Sequence, residues 1–386
     1  MAALLGAQSA LPIWNAGLLP WKPHLAAAAE DLRVRLAGAD PVMFAKAVQA
    51  ESRRRMAQFL RGVDIYRHHP FRRTLTDPPT VWHSGTTRLL DYGQAGGLPV
   101  LLIPSLVNRA YILDLSKRRS LARFLAARGL RPYLVDWAMP GDAEAAFTLD
   151  DYIARLEAAL DLVAAVNGRP AALVGYCMGG LLALAVAARR PAQVGGLALL
   201  ATPWEFGTDS GDPGRAVRLF EEHVGRAIDR MGHLPVDALQ ALFTAFDPTL
   251  VERKFRTLAE LAPGSARARD FVTLEDWLND GVPLVGAVAR ECLLGWYGRN
   301  SAARGEWRVA GTPVIPEQVD IAALVMVPRS DRIVPPESAL ALAARLPRAR
   351  RRMVPAGHIG MIAGRRALTD VYWPLAKWLG GCCAAP

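Results

Sequence analysis

Cys177 stands in the stretch Gly175-Tyr176-Cys177-Met178-Gly179-Gly180, between the apolar run Pro170 to Val174 and the small-residue segment Leu181 to Ala188. A cysteine in a G-x-C-x-G turn that joins a buried strand to a helix is the cysteine form of a nucleophile elbow. Such a turn forces the nucleophile into strained backbone angles, so its neighbours must be small. It also delivers the sulfur to a helix N-terminus, where free N–H groups and the helix dipole favour a thiolate and an oxyanion. The next amide, from Met178, would donate one oxyanion hydrogen bond. Taken alone, the stretch also fits a structural cysteine buried in a strand–helix turn.

Two further residues bear on that choice. Asp331 follows the apolar run Ala323 to Val327, in the loop Pro328-Arg329-Ser330-Asp331-Arg332-Ile333-Val334-Pro335. His358 follows the last strand, in Val354-Pro355-Ala356-Gly357-His358-Ile359-Gly360. Singly, Asp331 reads equally as a cap for the next helix, and His358 as a surface residue beside glycine. Together, the order nucleophile, acid, histidine, each after a strand, is that of the α/β-hydrolase triad. His358 would then take the Cys177 proton or hold a thiolate–imidazolium pair, with Asp331 fixing its tautomer. An acyl group on cysteine is a thioester, close in energy to an acyl-CoA, whereas serine would trap it as a more stable ester. The cysteine therefore argues for acyl transfer, with a hydrolase of the same fold as the alternative.

The elements that must position these residues are legible from Thr80 onward. Thr80 to His83 and Thr87 to Tyr92 read as a hairpin, and Pro99 to Pro104 as a strand buried on both faces. Then come a helix (Ser120 to Arg128), a strand (Pro132 to Asp136), a helix (Leu149 to Val166) with Asp150 and Asp151 at its start, and a strand at Val194 to Ala201. The pattern resumes with Ile321 to Val327, a helix over Pro336 to Leu346, a strand at Arg351 to Pro355 and a final helix near Arg366 to Leu379. This alternation predicts an α/β-hydrolase fold: a mostly parallel sheet with helices on both faces. Residues 203–315 break it with glycines and aromatics, among them Phe206, Phe220, Phe246, Phe255, Phe271, Trp296 and Tyr297, and read as a helical cap insertion. Residues 1–79 read as an N-terminal helical region, leaving 80–202 and 316–386 as the catalytic core.

Composition narrows the rest. With 386 residues, 52% hydrophobic and 21% charged, the chain supports a large core rather than disorder. The net charge of +10 is almost all arginine, since lysine occurs only at Lys22, Lys46, Lys117, Lys254 and Lys377. The cations are dispersed and not interleaved with aromatics, so no nucleic-acid partner is expected. They fit a solvated face, or attraction of an anionic substrate such as an acyl-CoA. Cys177, Cys292, Cys382 and Cys383 show no disulfide or zinc spacing, which points to a reducing, cytoplasmic setting. His68 and His69 lack a third ligand at metal spacing and read as a solvated basic turn. No metal and no cofactor is expected. The apolar N-terminus, Met1 to Leu25, is interrupted by Pro12, Asn15, Pro20 and Lys22, and reads neither as a signal peptide nor as a span.

Four segments resemble motifs of the polyhydroxyalkanoate synthases, which polymerise 3-hydroxyacyl-CoA. They are Pro104-Ser105-Leu106-Val107-Asn108-Arg109-Ala110-Tyr111-Ile112-Leu113-Asp114-Leu115, the Gly175–Gly180 elbow, Asp331-Arg332-Ile333-Val334-Pro335-Pro336 and Gly357-His358-Ile359-Gly360. The stretch from Leu274-Glu275-Asp276-Trp277 to Gly305-Glu306-Trp307 is similar to the cap of the short synthases that work with a second subunit. The resemblance covers about residues 80–379. It implies Cys177 as acyl and chain carrier, His358 as its base, and Asp331 as the orienting acid that also serves the incoming 3-hydroxyl. It implies oxyanion donors at Met178 and Val107. It also implies a 3-hydroxyacyl-CoA substrate, a polyester granule surface as a place of work, a homodimer and a second synthase subunit. Arg332 departs from the family, which usually has histidine there, and Cys292 in the cap reads as a buried small hydrophobe.

Overall fold

The structure is a computed structural model and describes residues 10–207, except Leu11, Asn15 and Lys22, and residues 221–382. Phe220, Cys383 and the part of the apolar N-terminal run before Ala10 lie outside the described residues. Eight strands form the main sheet: β1 (Thr80–Ser84), β2 (Thr87–Asp91), β3 (Leu98–Ile103), β4 (Leu130–Asp136), β5 (Ala171–Tyr176), β6 (Val194–Leu200), β7 (Ala323–Pro328) and β8 (Ala349–Val354). Their spatial order is β1-β2-β4-β3-β5-β6-β7-β8. The pairs β1–β2 and β2–β4 are antiparallel, and every later pair is parallel.

Helices α1 (Pro23–Leu36) and α2 (Pro41–Arg67) precede the sheet, and α3 (Leu121–Ala126), α4 (Leu149–Asn167) and α5 (Met178–Arg189) alternate with its strands. Helices α6 (Leu250–Ala259) and α7 (Ala266–Asn279) lie in the insertion, while α8 (Pro336–Arg345) and α9 (Trp373–Cys382) follow it. Parallel strands need crossovers, and the helices that supply them cover both faces. Side-chain alternation then splits the core. Leu101, Ile103, Leu173, Val325 and Val327 join one cluster with α4, α5 and α8. Val100, Leu102, Val174, Leu324 and Met326 join another with α3 and α9. Cys177 packs against both clusters, at the point where the sheet ends.

Several local expectations shift. Helix α5 begins at Met178 rather than Leu181, because the elbow itself starts the helix and its glycines are packing surfaces. The closing helix is a π turn, Leu368–Tyr372, continued by α9 to Cys382. Asp151 does cap α4, accepting from both Thr148 N (2.8 Å) and Thr148 Oγ1 (2.7 Å), whereas Asp150 Oδ2 accepts from Ala310 N at 2.9 Å.

The chain divides into two compact units, Met1–Phe71 with Thr244–Val272, and Arg72–Phe243 with Thr273–Pro386. The division falls inside the insertion rather than at its ends. In the first unit, α2 lies along α6 and buries Phe255, Leu258 and Ala268 against Phe59, Val63 and Phe271. Gly62 permits this approach, since a Cβ there would overlap the Phe255 carbonyl. His69 corrects the expectation of a solvated turn, being 5% exposed. Its Nδ1 accepts from Phe71 N (3.2 Å) and its Nε2 donates to the Pro263 carbonyl (3.0 Å). His68 beside it is exposed. Among the described residues no helix is long and apolar enough to cross a membrane.

Candidate active site

The site forms at the carboxyl edge of the sheet, where β5, β7 and β8 end. Cys177 adopts φ 55°, ψ −126°, a conformation that costs a non-glycine residue energy and persists only when its surroundings enforce it. They do. Cys177 N donates to the Leu200 carbonyl at 2.9 Å, and Gly180 N to the Cys177 carbonyl at 2.9 Å. A Cβ at Gly175 would overlap Gly180, at Gly179 the carbonyls of Ile103 and Pro104, and at Gly180 the Thr202 side chain. The motif's glycines are thus set by three close approaches, two to backbone and one to a side chain. The thiol is half-buried and sits at the head of α5.

Asp331 and His358 arrive on loops that are stitched together. Arg329 N donates to the Val354 carbonyl (2.8 Å) and Ser330 N to the Ala356 carbonyl (3.0 Å). Asp331 Oδ1 accepts from Ile333 N and Val334 N, both at 2.9 Å, and Oδ2 accepts from His358 Nδ1 at 2.7 Å. One oxygen folds the loop while the other holds the imidazole; Asp331 caps no helix, since α8 starts behind Pro335 without a side-chain cap. Burial works against the imidazolium. The Cys177 and Asp331 charges, with hydrogen bonds to both, overcome it and carry His358 up to about 10. An imidazole pinned by a carboxylate on one side and facing a thiol on the other is placed to exchange a proton with it.

The structure brings Cys177, Asp331, His358 and the amide end of Met178 together; Val107 lies in the loop after β3. Its N–H donates to Ser105 Oγ at 3.1 Å, a turn closed within its own loop, so this amide is occupied. Arg332 is exposed next to Asp331. Cys292 is buried, and burial, with the Glu291 and Cys177 charges, pushes its thiol well above the usual range. It behaves as the small hydrophobe expected.

Two tyrosines were not anticipated. Tyr176 Oη donates to the His358 carbonyl (3.3 Å), and its ring lies 5.3 Å from the imidazole. The signal was its place inside the elbow, on the strand face opposite Gly175. Tyr297 comes from a π turn, Glu291–Gly298, in the insertion. It packs against the same core cluster as Cys177, and burial first, then the charges of Cys177, Cys292 and Asp331, hold its phenol far above the usual range. Its ring meets Phe206 edge-on at 4.9 Å. Trp296 and Trp307, each 2% exposed, are core. The side chain of Phe246 lies outside the described residues.

Residues 99–364 match the model of a family described as alpha/beta hydrolase fold. The poly(3-hydroxyalkanoate) polymerase subunit PhaC of Haloferax mediterranei is 30% identical over 317 residues, 78% of this chain and 63% of that protein. The chain therefore spans less than two thirds of that relative. The protein of the same name from Synechocystis is 30% identical over 73% of this chain and 77% of its own length. That from Allochromatium vinosum is 29% identical over 74% and 81%. Among solved structures, BpoC of Mycobacterium tuberculosis is similar over 81% of this chain and all of its own, with TM-score 0.54 and 18% identity. A monoacylglycerol lipase of Paleococcus ferrophilus matches over 77% and 99%, with TM-score 0.50 and 16% identity. At such identities the structures speak to the fold alone.

Proposed function

The chain belongs to the α/β-hydrolase-fold family and, within it, to the poly(3-hydroxyalkanoate) polymerase subunits; on that premise we propose that it polymerises (R)-3-hydroxyacyl units from their CoA thioesters through Cys177. The observation that supports this reading most is the His358 imidazole, hydrogen-bonded to Asp331 at 2.7 Å and carried up to about 10 by Cys177 and Asp331. The Cys177 thiolate attacks the thioester carbonyl, and Met178 N–H steadies the oxyanion. The carbon–sulfur bond to CoA breaks, and His358 gives its proton to the departing thiolate. His358, now neutral, takes the proton of an incoming 3-hydroxyl, whose oxygen attacks the acyl group on Cys177. An ester bond forms and the thiolate is released. The exchange is between thioesters of similar energy, so the acyl group stays activated until an alcohol receives it. Work at a granule surface, a homodimer and a second subunit belong to the same proposal. No cofactor takes part in it.

Purified protein given 3-hydroxybutyryl-CoA should release CoA and yield polymer, and Cys177→Ala should do neither. Free 3-hydroxybutyrate as the sole product would make the chain a hydrolase. Unchanged turnover in the Cys177→Ala variant would overturn the site.

A further inference from the structure

The loop Pro104 to Arg109 is the backbone that borders the nucleophile from the β3 side, since the carbonyls of Ile103 and Pro104 occupy the space against Gly179. Its two ends are held by different parts of the molecule. At the start, Trp137 Nε1 donates to the Pro104 carbonyl at 3.2 Å, and Ser105 Oγ receives the Val107 amide. At the end, Asn108 turns the chain with φ 68°, and Arg109 and Tyr111 beyond it are held from the last turn of α7 and the residue after it. Trp277 Nε1 donates to the Arg109 carbonyl at 2.8 Å. Arg109 Nε donates to Asp280 Oδ1 at 3.1 Å, and Tyr111 Oη to Asp280 Oδ2 at 3.2 Å.

Trp277 and Asp280 are three residues apart, which places them on one side of the helix end. Trp277 is itself fixed, 4% exposed and packed in the cluster that holds Ala110, Ile112 and Met361. Residues from Thr273 onward belong to the same compact unit as the sheet, so this grip lies within one body. A loop with a left-handed asparagine and no ladder of its own takes its position from such anchors.

We infer that Trp277 and Asp280 are positioning residues for acyl transfer: a clamp from the insertion that holds the Pro104–Arg109 loop, and with it the backbone packed against Gly179, beside the tetrahedral centre formed on Cys177. The inference rests on the covalent acyl step proposed above. Neither residue touches the reacting atoms. Release of the clamp would leave the thiolate–imidazolium pair intact while the groups around the oxyanion shift, and a displacement of about 1 Å costs on the order of 100-fold in rate.

Two reactions of Cys177 separate these effects. Iodoacetamide alkylates a thiolate by displacing iodide at a saturated carbon, so no oxyanion forms and the rate reports the nucleophile alone. p-Nitrophenyl acetate acylates the same thiolate through a tetrahedral oxyanion, expelling p-nitrophenolate, in a transferase and a hydrolase alike. In Trp277→Phe and Asp280→Asn the acylation burst should slow by about tenfold or more, with alkylation at the wild-type rate and KM little changed. Asp280→Glu, which keeps the charge, should recover part of the loss. Equal slowing of both reactions, or wild-type acylation in both variants, would overturn the clamp. A wild type that is acylated by the ester but inert to 3-hydroxybutyryl-CoA overturns the transferase reading instead, and leaves the clamp comparison readable.

Discussion

Asp114 and Asp331 are both carboxylates with fully buried side chains, and both belong to segments that carry the family resemblance. Asp114 is gripped by Arg123 through Nε at 2.8 Å and Nη2 at 2.9 Å, by Tyr92 Oη at 3.0 Å, and by Arg73 at 3.6 Å. Asp331 receives two backbone amides and a single titratable partner, His358. A guanidinium never gives up its proton, so the Asp114 cluster can only be held or broken. An imidazole can exchange a proton, so the same buried charge paired with histidine sits beside a group that can gain and lose one. Burial of a charge is thus no guide to function until its partner is named.

The largest effect should come from breaking the second pairing. Asp331→Asn keeps the shape but removes the charge that orients and supports the His358 imidazolium, and kcat for acyl transfer should fall by roughly 10³–10⁴-fold, measured as CoA release. Asp114→Asn should do the reverse. It leaves Arg123 and Arg73 facing a neutral amide, and stability should drop by about 3 kcal/mol, read from urea denaturation. At a temperature where that variant is folded, its kcat should match the wild type. A kcat loss in Asp114→Asn without loss of stability would dissolve the contrast.

How much of this was written in the chain differs between the two regions. Cys177 and Asp331 each follow a short apolar run closed by glycine or proline, and His358 follows the arginine-rich strand closed by Pro355; that punctuation marks a strand end whatever the tertiary structure. The parallel sheet follows from the same runs. Helix α5 was placed late because two glycines lower helix propensity, whereas here they are what lets α5 approach Ile103, Pro104 and Thr202. Val107 was named as a donor from the resemblance; that its amide is bonded by a hydroxyl two residues away is a detail of one loop's angles. His69 was read as solvated because its burial depends on Pro263, nearly two hundred residues on. The split of the insertion has the same origin, since Phe255 and Phe271 find their partners on α2.

A subtler change tests whether His358 answers to Cys177 as well as to Asp331. Its folded value of about 10 lies above its ordinary one of ~6.5, so the pairing stabilises the fold fully below that ordinary value and is lost as pH rises through about 10. Cys177→Ser removes the strongest of the causes that raise it. The imidazole should then titrate at lower pH by NMR, and the alkaline loss of stability should move down with it. An unchanged titration would mean that Asp331 alone holds the proton.

Glu291 offers the smallest effect and the sharpest control, because it is a carboxyl in the insertion with neither device. Burial, and after it the Asp150 charge, push it up to about 7. Here the folded value lies above the unfolded 4.5, so the folded state binds the extra proton and stability falls as pH climbs from about 4.5 to about 7. Glu291→Gln removes the charge that must be buried. The variant should match the wild type below that window, gain across it, and hold a constant advantage on the order of 1–3 kcal/mol above it. Thermal unfolding at a series of pH values reads this directly. An advantage that is the same at every pH would mean that the glutamine gains by packing. An advantage confined to neutral and alkaline pH separates a carboxylate that is merely buried from one, like Asp331, whose charge has been given a partner.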